Sequence, residues 1–387
     1  MPIYHSLGEI PRKRHTVFQG SRGRFHYEEL VGNKGFTGPS SLLYHVNRPA
    51  AVRGERLLRR LDWEAEDAGP LRMRHLRSRQ LPVGGGMVDG RVPLLFNRDI
   101  AVSVCRPDHA EDWFYRNAQG DELVYLAEGA GALESQFGRL EVGPGDYVVI
   151  PRGLLHRWRL DAAAGPAHLL VVESAGWIRT PERYRGELGQ LLEHSPFCER
   201  DIRRPAQLAT IDEEGEFPLV VKQGNILSEI LLQYHPFDVA GWDGYYYPYA
   251  FNIADFEPIV GRIHQPPPVH QTFASDGFVV CSFVPRLFDF HPEAVPAPYH
   301  HANVMTDEVL FYASSEFMSR KGIEFGSLTL HPDGLVHGPH PGRAEASVGK
   351  AATEELAVMI DTFRPLQVAR AALGIEDEDY PRSWLER

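Results

Sequence analysis

The stretch GDYVVIPRGLLH (145–156) returns later in the chain as GSLTLHPDGLVH (326–337). In each copy a proline follows the first glycine by six residues, a second glycine comes two further on, and a histidine closes the motif three beyond that. The matching positions are Gly145, Pro151, Gly153 and His156 in one copy, and Gly326, Pro332, Gly334 and His337 in the other. The apolar run reads as a strand, the Pro-x-Gly as a reversal, and the histidine as the start of the returning strand. Upstream, Asn117 precedes Glu122 by five residues and Asn303 precedes Glu308 by five. Two elements in the same order and at the same offsets indicate a duplicated β unit.

The rest of the chain fits that reading. From about residue 92, short apolar runs broken by Gly, Pro or Asp follow one another (VPLLFN, IAVSVC, ELVYLAEGAG, HLLVVES) and resume as LSEILLQYHPF, FVVCSFVP, DEVLFYASS and ELAVMIDTF. This is the rhythm of an antiparallel sandwich or barrel. Between the two series, PERYRGELGQLLEHS (181–195) carries leucines and charges at helical spacing and predicts a connecting helix. A formal charge of −12 argues against a nucleic-acid surface, which needs a clustered basic face. Cys105, Cys198 and Cys281 are an odd set without CxxC spacing, so neither a disulfide framework nor a thiolate zinc site is expected. The opening residues lack the apolar core of a signal peptide, and no window is long enough to cross a bilayer. The expectation is a cytoplasmic protein with no nucleic-acid or membrane partner.

Each half resembles the two motifs of the cupin superfamily, G-x5-H-x-H-x(3,4)-E-x6-G followed by G-x5-P-x-G-x2-H. That resemblance implies a mainly β bicupin of two jelly-roll barrels. The expected divisions are an N-terminal β-rich extension (1–90), a first barrel (91–180), a short helical linker (181–215), a second barrel (216–365) and a C-terminal tail (366–387). In the second half the cupin positions give His301, Glu308 and His337; in the first, Tyr115 stands in place of the first histidine, leaving Tyr115, Glu122 and His156. Two imidazoles and a carboxylate with open positions suit non-haem Fe(II). The metal is therefore expected in the second half, with the first as a structural copy. Asp307 competes with Glu308 for the carboxylate role, because adjacent strand residues face opposite sides and only one can point inward.

A closer resemblance follows from FDVAGWDGYYYPYAFN (237–252), HQPPPVHQTF (264–273), PYHHANVMTDE (298–308), SLTLHPDGLVHGPHPG (327–342) and TFRPLQ (362–367), with GEIPRKRHTVF (8–18) and SSLLYH (40–45) near the start. These are similar to the homogentisate 1,2-dioxygenase family. Membership implies an Fe(II) enzyme that opens homogentisate with O2 to give maleylacetoacetate, and a homo-oligomer. By position in the family pattern, His264 matches the catalytic histidine and His331 the substrate-side histidine, with His270 as a further candidate in the same proline-rich stretch; each could instead hydrogen-bond a metal ligand from behind or simply be a loop residue. For an acidic ring substituent, Arg320 is the named cation, with Lys321, Arg262 and Arg286 as alternatives. The chain departs from the family pattern at HANVMTDE, where Ala302 stands in place of an arginine and an extra acidic residue appears. The competing readings are a dioxygenase for another hydroquinone-type ring such as gentisate, and a non-catalytic metal-binding bicupin.

Overall fold

The computed structural model describes residues 3–21, 23–61 and 63–385. Among the described residues the α-helices are two short ones, Arg343–Ser347 and Arg370–Leu373, and the architecture is the mainly β one expected of a cupin. No helix among the described residues is long and apolar enough to cross a membrane.

The sequence repeat reappears as a repeat of strand pairing. In the first half the strand Asp121–Glu128 lies between His168–Ser174 and Asp146–Ile150, with Glu122 opposite both Glu173 and Ile150. In the second half Asp307–Tyr312 lies between Ala357–Thr362 and Ser327–His331, with Glu308 opposite Asp361 and His331. The Pro-x-Gly reversals match as well: Gly153 N donates to Asn117 O at 2.7 Å and Gly334 N to Asn303 O at 3.1 Å. Both glycines sit at positive φ, +80° and +84°, which explains why neither position carries a side chain. These turns bring the closing histidine beside the upstream motif, pairing His156 with Tyr115 and His337 with His301.

Alternation along Asp307–Tyr312 assigns its faces. Leu310 and Tyr312 join Cys281, Met359 and Phe317 inside the second half, while Val309 and Phe311 enter the large core shared with the first. Phe311 meets Tyr125 of the first half edge-on, with ring centroids 6.1 Å apart. Tyr147 Oη and Ser282 Oγ add a buried hydrogen bond of 2.8 Å between the halves.

Three features differ from the sequence expectation. Strands Glu214–Gln223 and Tyr249–Asn252, placed with the second half by sequence order, hydrogen-bond to Phe114–Asn117 and Asp146–Ile150 in the first half's sheets. The helix expected over 181–195 does not form; that segment holds a 3-10 turn at Glu182–Tyr184 and a bridge between Arg185 and Leu191. Gly186 and Gly189 interrupt it, and Gly189 at φ +85° cannot continue a right-handed helix. Its leucines also fail to share a face, since Leu188 is 99% exposed and Leu191 is buried. Third, the extension and the tail are woven into the sheets: Arg74–Arg77 pairs with Ser327–His331, and Gln367–Val368 pairs with Arg91–Phe96. In the tyrosine-rich run, Tyr246, Tyr247 and Tyr249 fill the core and Tyr245 is exposed.

Candidate metal centre

His301 and His337 lie opposite each other on a two-stranded ladder, and Glu308 approaches from the adjoining sheet. Their ligating atoms all fall within 4.8 Å of one another. Glu308 Oε2 is 3.7 Å from His301 Nε2, and Glu308 Oε1 is 3.5 Å from His337 Nε2. Each histidine is aimed by its other nitrogen, since Nδ1 of His301 and of His337 lies 3.1 Å from the carbonyl oxygen two residues before it. His337 Nε2 is buried without a hydrogen-bond partner among the described residues. Such an orphaned nitrogen facing a carboxylate and a second imidazole fits a divalent cation. Burial alone would push the Glu308 carboxyl up, but the imidazoles of His301, His331 and His337 around it hold it well below the usual carboxylate range.

The choice between Asp307 and Glu308 is decided by what each carboxylate holds. Asp307 turns away and accepts the backbone N–H groups of Asp333 at 2.8 Å and Leu366 at 2.7 Å. Asp121 does the same in the first half, accepting from Arg152 N at 3.1 Å and Ile178 N at 2.9 Å. Both aspartates thus pin the Pro-x-Gly turn, leaving the following glutamate to face inward.

Of the two places open to His331, on the substrate side or hydrogen-bonded to a ligand, it takes the second. It is fully buried. Its Nδ1 lies 2.6 Å from Glu308 Oε1 and its Nε2 lies 3.0 Å from Tyr380 Oη. An ionised carboxylate only accepts, so Nδ1–H donates to Glu308. Burial pushes the His331 pKa down to about 4, so the ring is neutral and Nε2 accepts the Tyr380 hydroxyl. Its ring stacks on His337 with centroids 4.5 Å apart. His331 therefore braces two candidate ligand residues, and Tyr380, brought in by the tail, fixes its tautomer. Trp384 closes the same side, donating from Nε1 to Gly338 O at 3.0 Å. Tyr380→Phe should weaken metal affinity about tenfold, the usual scale for groups that orient a ligand, as read by competition with a chromophoric chelator.

The open side of the ligand set faces a cavity of about 150 Å³. Phe283, Leu310, Phe317 and Met359 give it flat apolar walls, and His264, His270 and Arg320 supply its polar groups. His264 is half-exposed at the rim, with Nδ1 3.3 Å from Asp289 Oδ2. His270 is buried against Phe283, its Nδ1 unpartnered, and burial together with the nearby Arg286 charge pushes its pKa down to about 3. Arg320 is buried, donates to Gly338 O at 2.8 Å and leaves Nε without a partner. Burial disfavours its charge, but Tyr312, Tyr380 and Glu308 hold its pKa up. Arg286, which also lines the cavity, is committed to Glu355 at 2.8 Å, which singles out Arg320 as the cation with donor capacity to spare.

Known proteins similar to this chain point to a family. A family profile described as "Homogentisate 1,2-dioxygenase N-terminal" matches residues 94–253. The homogentisate 1,2-dioxygenase of Rhodopseudomonas palustris BisA53 is 29% identical over 70% of this chain, which spans 63% of that relative's length. A protein of Saccharolobus solfataricus named "Putative dioxygenase SSO1533" is 43% identical, with 99% of each chain covered. This chain belongs to the homogentisate dioxygenase family of cupins. Among solved structures, a cupin 2 conserved barrel domain protein from Leptotrichia buccalis aligns with 79% of the chain at 8% identity and a TM-score of 0.34. The family profile ends at residue 253, just after the strand Tyr249–Asn252 that joins the first half's sheet.

In this family member the first half has its own cation. Arg91 puts NH1 3.0 Å and NH2 2.8 Å from the two oxygens of Glu122. Tyr115 Oη donates to Glu122 at 2.8 Å, Asn117 Nδ2 to Glu122 at 3.1 Å, and Lys222 Nζ to Glu173 at 2.5 Å. A guanidinium thus neutralises the carboxylate that corresponds to Glu308. Neither Arg91 nor Tyr380 was found from sequence, because each reaches its partner from a distant segment with no motif of its own. Asp361 was also missed; it sits opposite Glu308, and burial and the Glu308 charge push its pKa up to about 7.

Proposed function

We propose that this chain is a ring-cleaving dioxygenase that opens homogentisate with O2 to give maleylacetoacetate. The observation that carries the reading is the open-sided set of His301, Glu308 and His337 beside a flat-walled cavity containing a buried guanidinium. Fe(II) held by these three residues would supply the redox chemistry that lets an electron-rich ring react with O2. The protein's part is binding, orientation and proton handling. Phe283, Leu310 and Phe317 sandwich the ring and exclude water, and Arg320 takes the side-chain carboxylate through charge-assisted hydrogen bonds. His264, oriented by Asp289, accepts the phenolic proton at Nε2. Neutral His270 offers its free Nδ1 to a hydroxyl on the ring.

Oxygen uptake by the Fe(II)-loaded chain, measured in parallel with homogentisate, gentisate and plain hydroquinone, tests the reading. Uptake with a ring-opened product from homogentisate is expected. Preference for gentisate would move the substrate to the alternative ring, and no uptake with any of the three would leave a non-catalytic bicupin. Arg320→Gln should raise KM for homogentisate roughly thirtyfold, the effect of losing about 2 kcal/mol of charge-assisted hydrogen bonding, with little change for hydroquinone.

A further inference from the structure

Arg116 lies between Tyr115 and Asn117 on the strand Phe114–Asn117. Those two neighbours turn inward to Glu122, so alternation sends Arg116 out through the opposite face of the sheet. There it enters a cavity of about 80 Å³ between the first half and the N-terminal extension, walled also by Arg48, His45, Glu29, Gln136 and His235. Arg116 Nε is buried and has no hydrogen-bond partner among the described residues.

The carboxylates nearby are already committed. Glu29 lies 3.0 Å from His45 Nε2 and accepts from Gln136 Nε2 at 3.5 Å. Asp238 Oδ1 lies 2.6 Å from His45 Nδ1, and its Oδ2 accepts Asn47 N at 2.7 Å. Burial opposes a charge on His45, but these two carboxylates push its pKa up to about 9. His235 is neutral, its pKa pushed down to about 4 by burial, and its Nδ1 accepts Phe237 N. Three cations (Arg48, Arg116, His45) therefore face two carboxylates (Glu29, Asp238), leaving one positive charge over. Arg116 is half-buried, with its Nε withdrawn from water and without an acceptor among the described residues, an unmet donor that a bound anion would satisfy.

We propose that this cavity binds a small oxyanion, a phosphate or a short carboxylate, gripped by the guanidinium groups of Arg116 and Arg48. Its volume is that of roughly two to three waters, enough for the few heavy atoms of such an ion and too little for an aromatic acid. The site is separate from the metal centre, and its occupant is not the substrate.

The test is thermal unfolding of the full chain in phosphate, sulfate or acetate against chloride at matched ionic strength. The midpoint should rise saturably with at least one oxyanion, and the preference between tetrahedral and planar ions identifies the source. In Arg116→Gln the saturable rise should disappear, and in Arg48→Gln, altered at the exposed mouth, the half-saturating concentration should increase roughly tenfold. Metal content should stay at the wild-type level in both variants. An equal rise in Arg116→Gln overturns the proposal, as does the absence of any rise in the wild type. If Arg116→Gln does not fold, an unchanged half-saturating concentration in Arg48→Gln overturns it alone.

Discussion

His337→Ala is expected to lower metal affinity by more than about 100-fold, beyond the loss typical of groups that only orient a ligand, while His156→Ala leaves metal content unchanged. The two histidines occupy equivalent places in the repeat, each buried with Nε2 unpartnered. They differ in what they face. His337 looks onto Glu308, whose charge no arginine or lysine takes up within hydrogen-bonding distance among the described residues, with His301 beside it. His156 shares its pocket with Glu122, and there Arg91 already supplies the positive charge. Metal analysis of the purified variants after loading and desalting reads the difference directly, and equal loss in both would overturn the assignment of the metal to the second half.

The second large effect concerns stability. Arg91→Met keeps most of the side-chain volume but leaves Glu122 and Glu173 buried with only Lys222 to offset them. Removing one member of a buried ionic network costs about 3–5 kcal/mol, because the remaining charge stays desolvated. A marked fall in the urea midpoint is expected, with metal content per folded chain unchanged. Arg91→Met combined with Glu122→Gln should recover part of the loss, since the stranded charge is then removed as well. A midpoint equal to wild type in Arg91→Met would mean that Glu122 is not held as a carboxylate.

The candidate ligands His301, Glu308 and His337, which the fold brings together, were legible in the sequence because a strand, a Pro-x-Gly turn and a returning strand are local devices with fixed offsets, and the repeat supplied an internal check. The carboxylate was harder, since an Asp-Glu pair in a strand differs only in facing; the backbone N–H groups that Asp307 accepts come from residues 333 and 366, far along the chain. His331 stayed open between two roles for a similar reason. Its spacing from His337 places it one strand away but does not tell which face it takes, and Tyr380 Oη, 49 residues on, closes it off. The helix over 181–195 failed because spacing outweighed its two glycines in the reading.

What the sequence determined by itself was the duplicated β unit, the three candidate ligands and their concentration in the second half, because periodicity, turn chemistry and residue type act over short stretches. What only the tertiary structure decided was which groups surround those ligands. Arg91 at Glu122, Tyr380 behind His331, Arg320 at the cavity wall and Arg116 on the outer face are all set by long-range packing. Burial gives each charge its significance, and burial belongs to the folded chain as a whole.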